Sequence, residues 1–85
     1  MEGNDKIKGG FIILTDGGRA SDAPIYRIAI NPRDITTIES HSGWSRCNAK
    51  VHTKSDTIST IETFDEILQL LEEYNKQYKA NSNYE

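Results

Sequence analysis

The sequence predicts an α+β fold: a small antiparallel β-meander of four to five short strands, followed by one C-terminal amphipathic helix packed on a face of the sheet. Two observations predict it. Residues 11–62 contain short apolar or alternating runs, separated by polar clusters rich in Gly, Asn, Asp and Ser, which is typical of strands and turns. Residues 63–78 then place apolar side chains three and four positions apart, which is typical of a helix with one buried face.

Five segments have the composition of strands. They are rich in β-branched residues, and short connections favour pairing between strands that follow one another in the chain. In the second segment Tyr26, Ile28 and Ile30 share one face, and Arg27 and Ala29 lie on the other. In the last segment Ile58 and Ile61 are three positions apart, which predicts a β-bulge or an edge position. The predicted strands are residues 11–15, 25–30, 35–40, 47–53 and 57–62.

A capping box marks the start of the helix. The Thr63 hydroxyl can accept from the backbone N–H of Glu66, and the Glu66 carboxylate can accept from the N–H of Thr63. Acidic residues in this first turn also suit the positive end of the helix dipole. Leu70 widens the apolar face. The stripe itself consists of Phe64, Ile67, Leu68, Leu71, Tyr74 and Tyr78.

A length of 85 residues fits one small domain. Residues 1–10 and 79–85 are polar and lack periodicity, so we expect a flexible tail at each end and a single domain over residues 11–78. A body of this size buries little apolar surface, and self-association often stabilises such domains. We therefore expect a homo-oligomer in which Leu70 and Tyr74 of the helix contact a second copy.

Charge and composition argue against several classes of partner. The formal net charge is −3 and the Lys and Arg residues are scattered, which argues against nucleic acid. No apolar run approaches the roughly 20 residues of a membrane span, and residues 1–10 lack the apolar core of a signal peptide. The single Cys47 cannot form an internal disulfide, which indicates a reducing compartment. We therefore expect a cytoplasmic protein without membrane contact.

Few residues have the spacing of a metal or catalytic site. Cys47, His41 and His52 match no zinc-ligand pattern, with or without Glu39. So small a domain also leaves little room for a deep pocket around a Cys–His nucleophile pair. We therefore expect no metal, no cofactor and no catalytic residue. The Asp-Gly-Gly sequence at residues 16–18 could form an anion nest, but it lacks the helix and the Lys-Ser/Thr of a phosphate loop, so a turn is favoured.

The segment at residues 43–46 is the strongest candidate for a contact surface. Trp44 offers a stacking face beside the guanidinium of Arg46, which suits a protein hot spot, a base or a nucleotide. The alternative is that Trp44 folds back onto the sheet and serves packing. The other candidate residues for binding a partner or ligand are Arg27, Lys50 and His52 on the polar face of the sheet, and Tyr26 as a second aromatic face.

Three segments together form a recognisable pattern. They are a strand that ends in an Asp-Gly-Gly turn (residues 11–18), an Asn-x-x-x-Ile-x-x-Ile-Glu segment (residues 31–39), and a strand pair that runs into an acidic-capped helix (residues 51–74). The pattern resembles the FlbD-like family of small bacterial proteins linked to flagellar motility. The resemblance covers residues 11–78 and implies the same small α+β fold. Small phage proteins share the pattern, and the loops at residues 19–24 and 43–46 look longer than the family's usual turns.

These features lead to three hypotheses about function. The first is a non-enzymatic interaction or regulatory protein that binds another protein, as a homo-oligomer, in a bacterial cytoplasm or during phage infection. The second is a binder of a small anionic ligand such as a nucleotide at a subunit boundary, for example a phage-type sequestering protein. In that case Arg27 or Arg46 would hold the phosphate, and Trp44 or Tyr26 would stack on the base. The third, a nucleic-acid-binding regulator, is the weakest because of the net charge.

Overall fold

The computed structural model describes residues 5–18, 24–41 and 46–79, which form one antiparallel sheet and one helix. The predicted α+β class is therefore confirmed. A 3-10 turn at Pro32–Asp34 separates two of the strands, and a π-helical turn at Asn75–Lys79 extends the helix. The strands are β1 Ile7–Lys8, β2 Phe11–Asp16, β3 Tyr26–Ile30, β4 Ile35–Ser40, β5 Ala49–Thr53 and β6 Thr57–Thr60, and the helix is α1 Phe64–Tyr74.

The strands do not pair in the order of a simple meander. β2 pairs with β3 on one side. On its other side β2 pairs with β1 near its start, at Phe11 and Ile12, and with β6 at its end, at Asp16. β5 then pairs with β6, and β4 pairs with β5. The order across the sheet is therefore β3-β2-β6-β5-β4, with β1 beside one end of β2. A meander would pair β3 with β4, but these two strands form opposite edges of the sheet.

The last strand is not at an edge. β6 lies between β2 and β5, and its register with β5 is regular from Thr57 to Thr60. The predicted bulge or edge position for this strand is therefore wrong. Ile61 follows the end of β6, so its spacing from Ile58 does not report on the strand. A register shift occurs in β4 instead, between Ile35 and Thr37.

The link between β3 and β4 forces the sheet to curl. Five Cα steps separate Ile30 from Ile35, and they can span about 17 Å at most. The edges of a flat five-stranded sheet would be about 19 Å apart, and the 3-10 turn within the link shortens its reach further. The Asn31 side chain accepts from the N–H of Arg33 at 3.0 Å and so caps this turn. The two edges must therefore approach each other around a concave interior.

The helix covers this interior. The predicted capping box is present: the N–H of Thr63 donates to Glu66 Oε1 at 2.9 Å, and the N–H of Glu66 donates to Thr63 Oγ1 at 3.1 Å. The buried helix residues are Ile67 and Leu70, whereas Leu68 is 43% exposed. The buried face of the helix therefore includes Leu70, and it excludes Leu68, which the sequence places in the stripe. The core is formed by Ile7, Ile12, Leu14, Ile30, Ala49, Val51, Ile67 and Leu70.

Part of the predicted N-terminal tail belongs to the fold. Ile7 lies in β1 and is buried in the core, and the turn between β1 and β2 uses Gly9 and Gly10, both at positive φ. The end of the helix holds this turn. The Tyr74 hydroxyl donates to Gly10 O at 3.1 Å, and the N–H of Gly10 donates to the Tyr78 hydroxyl at 3.2 Å. A two-residue strand with one apolar side chain leaves no periodic signal in the sequence.

These contacts also correct the predicted oligomer surface. Leu70 is buried in the core of its own chain, so it is not accessible to a second copy. Tyr74 is half-buried, and its ring packs against Tyr78 with the ring centroids 4.6 Å apart. Both residues stabilise the monomer. Burial removes Leu70 from the predicted contact with a second copy, whereas a contact through Tyr74 stays a prediction.

A buried carboxylate joins the sheet to the helix. Glu62 is 4% exposed and lies between the end of β6 and the start of α1. It accepts from the N–H of Thr15 at 2.8 Å, from the Thr15 hydroxyl at 2.8 Å and from Lys6 Nζ at 3.0 Å. Burial alone would raise the pKa of the Glu62 carboxyl, but these hydrogen bonds outweigh it and lower the pKa below its ordinary value.

We predict that Glu62→Gln lowers the free energy of unfolding by roughly 1–3 kcal/mol at pH 7, because the Thr15 donors and Lys6 lose a charged acceptor. The folded-state pKa lies below the unfolded value near 4.5, so this stabilisation is present above that pH. It disappears as the pH falls through the folded-state pKa. Urea unfolding at pH 7, 5 and 3 should therefore show the gap between wild type and variant closing at the lowest pH. The exposed Glu72→Gln is the matched control, and a gap that does not change with pH would contradict the assignment.

We predict that Ile67→Ala lowers the free energy of unfolding by about 2–5 kcal/mol, since Ile67 is fully buried where the helix meets the sheet. Leu68→Ala, at the neighbouring position, should cost under about 1 kcal/mol because Leu68 is largely exposed. Chemical denaturation of the two variants measures the difference. Equal losses would mean that the helix packs with a different face.

Candidate functional site

The predicted contact residues do not form one cluster. Trp44 lies outside the described residues. Arg46 is half-buried, and its Nε donates to Gly17 O at 2.8 Å, so this guanidinium is engaged with the end of β2. Arg27 is on β3 and Lys50 on β5, and β2 and β6 lie between these two strands in the order β3-β2-β6-β5. Residues from these strands therefore do not converge on one small ligand.

Lys50 and His52 do share the outer face of the sheet with β4 and β6. Lys50 pairs with Glu39, and His52 pairs with Thr57. His52 Nε2 lies 2.8 Å from Glu39 Oε1, and His52 Nδ1 lies 3.1 Å from Thr57 Oγ1. The hydrogen bond from His52, together with its charge, lowers the pKa of the Glu39 carboxyl, and Lys50 and His41 add to this effect.

The order carboxylate, imidazole, hydroxyl is also the order of groups in a catalytic triad. Here the three side chains Glu39, His52 and Thr57 lie on an open face of the sheet, and the Glu39 side chain is 55% exposed. An open cleft of about 310 Å³ adjoins Thr57, and Gly18 also lines it. The N–H of Gly18 donates to Asp16 Oδ1 at 2.9 Å, so it is not directed at a substrate oxygen. The contacts of His52 with Glu39 and Thr57 therefore link β5 to β4 and to β6 on the outer face of the sheet.

The Asp-Gly-Gly segment does not form an anion nest in this structure. The N–H of Gly17 donates to Ser59 O at 3.0 Å, and the N–H of Gly18 is held by Asp16. Gly17 instead permits close packing. A Cβ on Gly17 would lie 2.6 Å from Cys47 Sγ and 3.2 Å from Ile61 Cγ1. Cys47 is buried beneath this segment, and both ring nitrogens of His52 are taken up by other groups, so the two do not form a nucleophile pair.

The described ranges hold little that suggests cofactor chemistry. Within residues 5–18, 24–41 and 46–79, no group of three or more His, Cys, Asp or Glu side chains could hold a metal ion. A second open cleft, of about 270 Å³, lies between α1 and Lys6. None of the helices in the described part of the chain is long and apolar enough to cross a membrane.

The sequence prediction did not identify the open edge of β3. Among the described strands β3 pairs with β2 alone. Ile25, just before the strand, is 52% exposed, and Tyr26, its first residue, is 61% exposed. Arg27 and Ala29 are exposed as well. Tyr26 and Arg27 are predicted site residues, and the edge places them side by side with alternating faces.

The other edge of the sheet differs. β4 contains the register shift between Ile35 and Thr37 and carries the charged Glu39. Bulges and charges are the devices by which proteins keep sheet edges from pairing with other chains. β3 has no such bulge, because its register with β2 is regular from Tyr26 to Ile30. β3 carries one charge, Arg27, but its regular and bulge-free edge presents backbone groups that can pair with another chain. This edge is therefore the candidate functional site, and we call residues 25–30 the β3 edge.

Comparison of the chain with protein-family models, curated proteins and solved structures finds no match. The resemblance to the FlbD-like family therefore stays a prediction from three sequence segments.

We predict that Gly17→Ala destabilises the protein by about 1–3 kcal/mol, because the added methyl overlaps Cys47 Sγ. Removing that sulfur should relieve part of the cost, so Gly17→Ala combined with Cys47→Ala should be less destabilised than the sum of the two single variants. Urea unfolding of the four proteins gives the coupling energy. Strict additivity would show that the two residues are not in contact.

Proposed function

We propose that this protein is a non-enzymatic protein-binding module that binds another protein through the β3 edge. The observation that carries the proposal is a regular, bulge-free edge strand with the exposed apolar side chains of Ile25 and Tyr26 at its start. An edge strand presents unpaired backbone groups that can pair with another chain. Exposed apolar side chains beside such an edge add buried area to the contact.

The alternative of a nucleotide bound between an aromatic ring and a guanidinium has less support. Tyr26 and Arg27 are consecutive residues of a strand, so their side chains lie on opposite faces of the sheet. The Arg46 guanidinium donates to Gly17 O, which already directs it towards the end of β2. Neither arginine stands beside a described aromatic ring in a way that would hold one phosphate and one base together.

Self-association through Leu70 has no support, because Leu70 is buried in the core of its own chain. The β3 edge is open to a second copy as well as to a different protein. We propose a different protein as the partner, in a cytoplasmic setting that suits the single, buried Cys47. A regulatory role follows naturally for a small domain that acts by binding.

The test places a photo-crosslinking amino acid at position 25 of the protein in its host cells. We expect adducts to one or a few proteins from position 25. The same amino acid at Lys54, an exposed residue in the turn between β5 and β6, is the control and should give no adducts of the same size. Absence of adducts from position 25, or the same adducts from both positions, would contradict protein binding at the β3 edge.

A further inference from the structure

We infer that the partner contributes an extended acidic segment, which adds to the sheet as a strand alongside β3. This inference rests on the proposed function and specifies the chemistry of the partner. Strand addition at an open edge is a recurring mode of peptide recognition, in which backbone hydrogen bonds give affinity and alternate side chains give specificity. The β3 edge meets both requirements.

Two residues of β3 direct their backbone N–H and C=O groups away from β2. On β2, the N–H of Ile13 donates to Lys6 O, and the carbonyl of Thr15 accepts from Ile61, so these odd-numbered residues bond away from β3. Because consecutive residues alternate in an antiparallel ladder, the even-numbered residues of β2 bond to β3. Their partners are Ile30, Ile28 and Tyr26.

Arg27 and Ala29, between those partners, therefore direct their N–H and C=O groups away from β2. No described strand pairs with this side. Two donors and two acceptors, spaced as in a strand, are thus available to a segment of about five residues. These are the groups that an incoming strand would pair with.

The side chains of β3 define what the incoming strand should carry. Arg27 and Ala29 are on the outer face, where a residue directly opposite Arg27 would have its Cβ about 5 Å away. A carboxylate at that position would form a cross-strand ion pair. On the core face, Tyr26 and Ile28 favour apolar neighbours, so the pattern that fits is alternating acidic and apolar.

The charge of this region points the same way. Residues 24–33 contain Arg27 and Arg33, both exposed, and no Asp or Glu, although the whole chain has a net charge of −3. Among the described residues, Asp16 lies opposite Tyr26 on β2, and Asp34 is the last residue of the 3-10 turn. Arg27 is thus the one charged side chain on β3 itself, and it favours a negatively charged residue in an incoming strand.

The same charge disfavours a second copy as the occupant. Antiparallel pairing of two β3 strands would place Arg27 of each chain close to Arg27 of the other, directly opposite or on a diagonal, and like charges across a strand pair are destabilising. Arg33 of both chains would add to the repulsion. An acidic strand meets no such penalty.

The experiment uses three labelled peptides of seven residues that alternate valine with glutamate, lysine or glutamine, and measures their binding to the full chain by fluorescence anisotropy. We expect the glutamate peptide to bind at least tenfold more tightly than the lysine peptide, with an affinity that falls as salt rises. Arg27→Glu should reverse the order of the two charged peptides.

Two variants at one position separate strand pairing from general attraction. Ala29→Pro removes an outward N–H without removing a hydrogen bond to β2, and edge strands accept proline where the N–H faces solvent. It should abolish binding of the glutamate peptide. Ala29→Val keeps the N–H and should retain binding. Thermal unfolding of each variant checks that the fold is intact, and if Ala29→Pro does not fold, an N-methylated peptide backbone tests the same hydrogen bonds from the other side.

Several results would overturn the inference. Equal binding of the glutamate and lysine peptides, tighter binding of the glutamine peptide, or an unchanged affinity in Ala29→Pro would each do so. Concentration-dependent self-association in analytical ultracentrifugation that Ala29→Pro abolishes would show that a second copy occupies the edge. If crosslinks from position 25 persist while the acidic peptide fails to bind, the protein-binding function stands and only the acidic strand is wrong.

Discussion

The structure depends on the short link that connects opposite edges of the sheet. Residues 31–34 carry the chain from β3 to β4, and they are too few to cross a flat sheet. The curl that results creates a concave interior with room for one face of one helix. Ile67 and Leu70 fill it against Ile12, Leu14 and Val51. The helix is thus the cover of a core that the sheet alone leaves open.

Glu62 is the polar counterpart of that apolar core. It lies between β6 and α1. Its carboxylate binds Lys6, just before β1, and Thr15, near the end of β2. A buried carboxylate is tolerated there because each of its oxygens has a donor. One residue therefore aligns the N-terminal strand, the central strand and the start of the helix.

Sequence reasoning found the features that are encoded locally. The capping box at Thr63 and the alternation in the strands depend on neighbours in the chain, so they could be read without a structure. Strand order depends on the curl of the sheet, which no local pattern specifies. Helical spacing alone did not distinguish Leu68 from Leu70 as the buried residue, because both border the stripe. Only the position of the helix over the sheet decides between them.

The candidate site was partly predictable for the same reason. Tyr26 and Arg27 stood out by residue type, an aromatic and a guanidinium on a predicted strand. Their accessibility depends on β3 being an edge, and this follows from the pairing of β2 with β6 instead of from the sequence around residue 26. Trp44, the residue that the sequence favoured most, lies outside the described residues.

The contact of Gly10 with Tyr74 and Tyr78 has a consequence for how the chain is made. The hydrogen bonds that hold the first turn span 64 and 68 positions, and the ion pair from Lys6 to Glu62 spans 56. Contacts of such long sequence separation form late in folding. During synthesis β1 can pair with β2, and β2 with β3, as soon as residues 7–30 are available, whereas Gly10 gains its partners only after Tyr74 and Tyr78 have been made. The turn between β1 and β2 is therefore fixed in place only after the π-helical turn at Asn75–Lys79 has formed.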